Sequence, residues 1–299
     1  MKIRKEYIFA GISIIFWGSS AAVSALMLES LSSFAVLFYG SILASAFLFV
    51  LCALTGRLKK LKEIPLKDWI FMIALGVLGM FLYNWFVYMG LQRLKAQQAF
   101  IINYLWPILI VLFSCVFLGQ KMNLRKSVAL LLSFIGVAIV ATEGSLQGLG
   151  DINLFGVAAC LAAAVSYALF SVFNIKVTCD KFAATMIYYA TSAILSLILL
   201  LTGEGIPMLS LPQWGGMLWY GVLVSGVSYS TWALALDHGD TAKISNLAYI
   251  TPFVSLVYTY FLLGEAIVLS SFVGLGFIIA GVIIQMERSP KSDKTESAA

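Results

Sequence analysis

Residues 101–119 read IINYLWPILIVLFSCVFLG, and residues 246–264 read NLAYITPFVSLVYTYFLLG. The two stretches align without a gap, each residue lying 145 positions from its counterpart, and they share a tyrosine, a proline and a closing Leu-Gly. The same register holds over residues 76–139 and 221–284. The chain therefore contains two copies of one unit, and each copy is expected to form one half of the molecule.

The composition indicates that lipid surrounds this unit. The chain of 299 residues is 61% hydrophobic and 11% charged, with a mean hydropathy of +0.97, which is more apolar side chain than a soluble fold of this length can bury. Its apolar runs are close to the roughly 20 residues that a helix needs to cross a bilayer, and too long for barrel strands. The predicted fold class is an all-α integral membrane protein with ten transmembrane helices.

The ten helices are predicted to form two inverted five-helix repeats. Because five is odd, the second copy enters the membrane from the opposite side to the first. The predicted boundaries are a first repeat at 1–142, an extracytoplasmic connection at 143–152, a second repeat at 153–287 and a disordered cytoplasmic tail at 288–299. Duplicated apolar halves of this kind are typical of transporters, whose substrate site lies where the halves meet.

The basic residues predict the orientation. With the N-terminus inside, 17 of the 19 Lys and Arg residues fall in inner segments, and only Arg93 and Lys95 fall outside. Both termini are therefore expected in the cytoplasm, and the net charge of +5 is a topology signal that implies no nucleic-acid partner. We interpret the first apolar run as a retained helix because nine further spans follow it, over the alternative of a cleaved signal peptide.

Polar residues inside the apolar runs are the candidates for a binding site. Asn84 and Tyr88 fall on one face of helix three, and Asn103, Trp106 and Pro107 fall on one face of helix four. A buried amide or phenol in hydrocarbon needs a polar partner or a polar cavity, so helix-to-helix hydrogen bonding remains the alternative for each. For Trp17 and Trp85 a packing or interfacial role is expected. A matching set in the second half consists of Tyr229, Trp232, Asn246 and Tyr249.

Pro107 and Pro252 occupy equivalent positions within helices four and nine. Because proline has no N–H, it leaves the carbonyls of Asn103 and Ala248 without their helical donor. Such carbonyls are tolerated in a membrane where protein, water or substrate satisfies them, and a substrate ammonium group is the partner we expect. The alternative is that the prolines only shape packing.

Charged residues are nearly absent from the spans, which limits the mechanism. The sole histidine, His238, is expected to be a solvated loop residue, and there is no phosphate-binding loop. The four cysteines show no CxxC spacing, so no metal or other cofactor is predicted. Facilitated diffusion or exchange is the predicted mechanism, with proton coupling through a peripheral acid such as Glu143 left open.

The chain also resembles a known family. The run Asn103-Tyr104-Leu105-Trp106-Pro107, with Gly119-Gln120-Lys121 after it, is similar to the fourth-helix signature of bacterial aromatic amino acid exporters. These exporters belong to the EamA-type branch of the drug/metabolite transporter superfamily. The superfamily resemblance covers the whole chain, through Trp17-Gly18-Ser19 and Tyr167-Ala168 in helices one and six, whereas the exporter resemblance is concentrated in helix four.

The resemblance implies alternating access around a central cavity in the cytoplasmic membrane of a bacterium. Carried over residue by residue, it implies that Tyr104 and Trp106 line the cavity, with Tyr83 as a companion. Tyr167 stands where the family usually has tryptophan, and this departure bears on the fit to an indole ring. The site residues predicted from both lines of reasoning are Tyr83, Asn84, Tyr88, Asn103, Tyr104, Trp106, Pro107, Tyr167, Tyr249 and Pro252.

The partners predicted are a small-molecule substrate, which is an amino acid or related metabolite, and membrane lipid. Export of neutral amphipathic metabolites, above all aromatic amino acids, is the leading functional hypothesis. A broader drug or metabolite permease, including efflux of paraquat-like cations, is the alternative within transport. An intramembrane enzyme would need a nucleophile and a base in the bilayer, and a structural or sensory protein is the remaining class. The oligomeric state is left open, and a monomer is compatible with the sequence.

Overall fold

The protein is described by a computed structural model that covers residues 4–144, 153–239, 244 and 247–285. Within these ranges all regular secondary structure is helical, and no strand is present. The predicted cytoplasmic tail, most of the predicted connection at 143–152, and Asn246 lie outside the described residues.

The first half contains five helical units. They are α1 (Lys5–Leu28), α2 (Ser33–Leu54), α3 (Leu66–Leu91), α4 (Ala96–Phe117) and α5 (Leu124–Ala141). A short 3-10 helix, Arg57–Glu63, connects α2 to α3.

The described part of the second half follows the same order. It consists of α6 (Leu154–Asn174), α7 (Lys181–Thr202), α8 in three consecutive segments (Leu211–Leu218, Trp219–Val227, Ser228–His238), α9 (Ala248–Leu263) and α10 (Leu269–Gln285). Of all these units, α1 to α7 are long and apolar enough to cross a membrane, and α9 and α10 are shorter apolar helices. The chain is thus a multi-pass helical membrane protein, while the count of ten spans stays a prediction.

Several helices begin at a side chain that satisfies their free N–H groups. The Ser32 hydroxyl accepts from Ala35 N at the start of α2, and the Asp180 carboxylate accepts from Phe182 N at the start of α7. Asn123 and Asn153 have the same role for α5 and α6. Small polar residues are favoured at this position because they replace the hydrogen bonds that a helix end lacks.

Irregular backbone occurs at equivalent places in the two halves. In α3 a π-helical turn spans Val77–Leu82, and in α8 one spans Trp219–Val227. Unit α4 is interrupted between Asn103 and Trp106, and α9 begins with a 3-10 turn, Ala248–Ile250. Pro107 and Pro252 each fall in the first turn of the helix that follows the interruption, where a missing N–H costs little.

The two halves pack through reciprocal contacts. α5 packs against α10 and α2 against α7, while α1 contacts α8 and α9, and α6 contacts α3 and α4. A Cβ placed on Gly136 would lie 2.5 Å from the Gly274 carbonyl oxygen, and one on Gly281 would lie 2.6 Å from that of Ala129. The repeat register of 145 residues relates one pair to the other, because Gly136 corresponds to Gly281 and Ala129 corresponds to Gly274. The glycines thus allow the backbones of α5 and α10 to approach closely.

Polar contacts connect the helices at one end of the bundle. The Glu265 carboxylate accepts from Ala96 N at 2.6 Å and from Gln97 N at 3.0 Å, which joins the α9–α10 connection to the start of α4. Lys95 forms an ion pair with Glu143 at 2.7 Å on the same side. Both contacts lie at the end that the distribution of basic residues predicts to be outside.

Candidate functional site

A cavity of about 230 Å³ lies where the two halves meet. Side chains from α1, α3, α4, α6, α7, α8 and α9 line it. Six residues predicted from the sequence are among them, namely Tyr83, Asn84, Asn103, Tyr104, Trp106 and Tyr167. The described structure therefore brings the predicted positions of helices three, four and six together in one site.

One wall of the cavity is aromatic and comes from α3, α4 and α6. The Trp106 ring meets the Tyr167 ring edge to face, with centroids 5.2 Å apart, and the Tyr83 ring lies 4.9 Å from the same tyrosine. Tyr104 contacts the other side of Trp106 at 5.8 Å. Tilted and edge-to-face contacts of this kind hold the rings in place and leave an apolar surface toward the cavity.

A second aromatic cluster comes from α1, α7 and α8. Trp17 packs edge to face on Tyr229 at 5.3 Å and lies 5.2 Å from Trp232, and Tyr189 contacts Tyr229 at 6.2 Å. A packing or interfacial role was expected for Trp17; it packs on these rings and also lines the cavity. Trp85, in contrast, packs against Phe34, in agreement with the packing role expected for it.

Side-chain amides supply the polar groups of α3 and α4. The Asn103 amide nitrogen donates to the Tyr83 hydroxyl at 3.1 Å, and the Tyr220 hydroxyl donates to the Asn84 carbonyl oxygen at 3.1 Å. Asn84 also donates to the Met80 carbonyl, within the π-helical turn of α3. These bonds fix both amides, so Asn84 and Asn103 each hold one orientation in the cavity wall.

Among the described residues, two that line the cavity each carry a buried side-chain oxygen without a hydrogen-bond partner. They are Asn103 Oδ1 and Thr251 Oγ1, on side chains of residues that are 3% and 5% exposed. Buried polar atoms are almost always paired, since leaving one unpaired costs about 1–3 kcal/mol. Their shared position in the wall of a cavity makes them candidates for contact with a ligand.

The Ala248 carbonyl, expected to be free for a substrate ammonium, is already engaged. It accepts from the Tyr104 hydroxyl at 2.7 Å and from the Thr251 backbone N–H. The expectation was wrong for this carbonyl because a tyrosine from the other half reaches the gap that Pro252 leaves. At the interruption of α9, the Ala248 carbonyl is therefore hydrogen-bonded by protein groups, as the hydrocarbon environment requires.

The other four predicted residues lie outside the lining. Tyr88 is 1% exposed in the core, and Tyr249 packs beside that core. Pro107 and Pro252 are buried at the starts of their helices, where they shape the backbone near the cavity. A direct contact of these residues with substrate stays a prediction.

Three tyrosines and a group of serines in the lining were absent from the predicted set. Tyr189, Tyr220 and Tyr229 come from α7 and α8, and Ser20, Ser24 and Ser225 add hydroxyls. Tyr229 was noted in the sequence as part of a matching second-half cluster. Tyr189 and Tyr220 sit in long, predominantly apolar runs, whose patterns do not reveal which face turns toward the other half.

Two further cavities extend from the site toward the end of the bundle that carries Arg57 and Asp180. A space of about 390 Å³ shares Tyr229 and Trp232 with the central cavity. It also shares Cys179 with a space of about 610 Å³, in which Arg57 and Asp180 form an ion pair at 2.6 Å. Tyr229 and Trp232 thus line both the central cavity and the adjoining space, and the two outer spaces together form a vestibule that carries the Arg57–Asp180 ion pair.

The electrostatics of the central cavity are simple. Its lining residues, all within the described ranges, include no Asp, Glu, Lys, Arg or His. Across the same ranges, no three His, Cys, Asp or Glu side chains lie close enough to share a metal ion. The cavity can therefore hold a small molecule through aromatic surface, hydroxyl groups and amides, and it offers no fixed charge.

A duplicated helical membrane protein with a cavity between its halves is typical of transporters, and comparisons with known proteins define the family. The model of the EamA-like transporter family matches residues 4–142 and 154–286. The chain therefore belongs to the EamA-like transporter family.

The relatives described below carry names that identify them as transporters or exporters. It is 28% identical to the uncharacterized transporter YvbV of Bacillus subtilis, over 92% of this chain and 90% of that one. It is 23% identical to an uncharacterized transporter of Archaeoglobus fulgidus, over 95% and 99%. It is also 26% identical to the aromatic amino acid exporter YddG of Ancylobacter novellus, over 60% and 63%.

A solved crystal structure has the same fold. It matches with a TM-score of 0.68 at 20% identity, over 93% of this chain and 95% of that chain.

Proposed function

We propose that this protein exports small neutral amphipathic metabolites, with aromatic amino acids as the main substrates, by alternating access. The observation that carries the proposal is the uncharged cavity between the halves, with Trp106 and Tyr167 forming one wall and Trp17 and Tyr229 another. A planar ring gains apolar burial and edge-to-face contacts between such walls. The partial relation to an aromatic amino acid exporter supports the same substrate class.

The size of the cavity favours amino acids over larger compounds. At about 230 Å³ it lies below the range of roughly 300–1,000 Å³ that drug-sized ligands occupy. A single amino acid is a zwitterion of zero net charge, which suits a lining without charged side chains. Bulky multidrug substrates fit this state of the cavity poorly.

Two inverted repeats are the proposed basis of transport. In such an arrangement each half can take the conformation of the other, and the site opens to one side and then to the other. The reciprocal helix contacts and the irregular segments at equivalent places in α3 and α8 support this arrangement. The vestibule beyond Tyr229 and Trp232 is then the loading side, and the basic-residue distribution predicts that it faces the cytoplasm.

Efflux of planar cations is a second candidate, supported by the cluster of Trp17, Tyr229 and Trp232. Aromatic faces attract quaternary ammonium groups even without a carboxylate. Such a substrate would bring a net charge into a cavity that has no counter-charge, which is costly in a low dielectric.

Uptake into proteoliposomes tests the proposal. Labelled Trp, Phe, Tyr, Thr and a quaternary amine are supplied with and without a pH gradient. We expect uptake of Trp, Phe and Tyr above that of Thr, with little uptake of the amine. Uptake of the amine alone would favour the second candidate, and uptake of none of the five would contradict both. A dependence on the pH gradient would add proton coupling to the mechanism.

A further inference from the structure

Asn103 and Thr251 line the cavity where α4 meets α9, and their buried Oδ1 and Oγ1 atoms have no hydrogen-bond partner within the described part of the chain. Asn103 is the last residue before the interruption of α4, and Thr251 begins the regular helix of α9. The two come from different halves of the chain.

A continuous series of contacts connects their positions. Asn103 precedes Tyr104, whose hydroxyl donates to the Ala248 carbonyl at 2.7 Å. The same carbonyl accepts from the Thr251 backbone N–H. Asn103 and Thr251 therefore flank one hydrogen bond that joins the two halves.

The two free groups have complementary chemistry. With the Asn103 nitrogen held by the Tyr83 hydroxyl, its carbonyl oxygen can only accept a hydrogen bond. The Thr251 hydroxyl can donate one. An α-amino acid presents an ammonium donor and a carboxylate acceptor on the same carbon atom, which is the pair that such groups satisfy.

The site where α4 meets α9 is asymmetric, because the two copies carry different residues at equivalent positions. In the register of 145 residues, Asn103 corresponds to Ala248, and Trp106 corresponds to Thr251. The first half thus supplies an amide and an indole where the second half supplies a methyl group and a hydroxyl.

We propose that Asn103 and Thr251 form a subsite for the amino acid headgroup, in which Asn103 accepts from the ammonium and Thr251 donates to the carboxylate. The subsite rests on the proposed function, because it specifies which group of an aromatic amino acid each residue binds. It makes the transporter selective for molecules that carry both groups, and indole derivatives that lack either one are poorer ligands.

Competition against labelled tryptophan in proteoliposomes tests the subsite. The competitors are unlabelled tryptophan, tryptamine, which lacks the carboxylate, and indole-3-propionate, which lacks the ammonium. Wild-type protein is expected to prefer tryptophan over each analogue about tenfold or more, the scale of one hydrogen bond to a charged group. Each analogue also carries a net charge, so the decisive quantity is the change in each preference between variants.

The variants separate the two contacts. Thr251→Val keeps the shape and removes the hydroxyl, so the preference over tryptamine should fall several-fold while that over indole-3-propionate is kept. Asn103→Leu should do the reverse. Thr251→Ser should retain the wild-type preferences. Ser255→Ala is the matched control, because its hydroxyl is also buried and unpartnered in α9 but lies outside the cavity lining.

The outcomes are distinct. If wild-type protein moves tryptophan but both preferences are unchanged in Thr251→Val and Asn103→Leu, the subsite is wrong and the proposed function stands. If wild-type protein binds tryptamine or indole-3-propionate as tightly as tryptophan, the subsite is overturned even if no variant folds. If wild-type protein moves no aromatic amino acid, the proposed function and the subsite both fail.

Discussion

The Tyr104 hydroxyl donates a hydrogen bond to the Ala248 carbonyl oxygen at 2.7 Å, and the two residues belong to different halves of the duplicated chain. In the repeat register Tyr104 corresponds to Tyr249, the residue next to Ala248. The bond thus joins the interruptions of α4 and α9, and it gives the Ala248 carbonyl a second donor beside the Thr251 backbone N–H.

Removing this bond should destabilise the protein. We expect Tyr104→Phe to lower the free energy of unfolding by about 0.6–1.5 kcal/mol, the range for one hydrogen bond in a membrane protein. Thermal unfolding of the purified protein in detergent measures the change. Tyr260→Phe is the control, because Tyr260 is half-exposed on the outside of α9. Equal melting temperatures for the two variants would contradict the structural role of the bond.

Trp106→Ala should reduce transport of an aromatic amino acid at least tenfold, because its indole forms the cavity wall against Tyr167. Trp69→Ala removes an indole that lies near the start of α3 and outside the cavity lining, so it should reduce transport much less. Initial rates of uptake, divided by the amount of protein in the liposomes, give the comparison. Equal losses would argue against an aromatic substrate wall on α4.

Glu265 should hold the end opposite the vestibule closed. Its carboxylate accepts two N–H groups at the start of α4, where a negative charge is favoured by the helix dipole. We expect Glu265→Ala to increase maleimide labelling of a cysteine placed at Ser20 in the cavity, with the reagent added on the Glu265 side. Glu29→Ala, a change to an exposed carboxylate, serves as the control. Unchanged labelling in Glu265→Ala would show that other contacts close this end.

Cys179 should report on the vestibule. Burial, and after it the negative charge of Asp180, raises the pKa of the Cys179 thiol. A raised pKa leaves less thiolate at neutral pH, so maleimide labelling should be slow at pH 7 and accelerate as the pH rises above the usual thiol range.

The experiment uses a variant in which Cys52, Cys115 and Cys160 are replaced, and the reagent is added to one side of sealed vesicles. Labelling from the cytoplasmic side is expected, with protection by bound substrate. Labelling only from the opposite side would reverse the predicted orientation.

The sequence was sufficient to predict the helical membrane fold and six members of the cavity lining. The apolar runs required helices in lipid, and the paired prolines indicated where α4 and α9 are irregular. Asn103 and Trp106 were recognisable because polar and aromatic residues beside a proline are unusual in a membrane helix.

The remaining lining residues depend on how the helices rotate and cross. Tyr189 and Tyr220 lie in long, predominantly apolar runs, in which the periodicity does not tell the cavity face from the faces that contact lipid or other helices. Trp17 was predicted to pack, and its rotation in α1 places it in the cavity as well. The engagement of Ala248 by Tyr104 spans the two halves, and a contact between distant segments leaves no trace in local spacing.

The close approach of Gly136 to Gly274, and of Gly281 to Ala129, has a consequence for biogenesis. Each copy of the duplicated unit completes its packing only with helices from the other, since α5 needs α10 and α2 needs α7. A nascent chain that has inserted α1 to α5 is therefore a set of membrane helices awaiting partners. We therefore expect final assembly to follow synthesis of the second copy. A bulky side chain at Gly136 or Gly281 should then let the helices insert but prevent α5 from packing against α10.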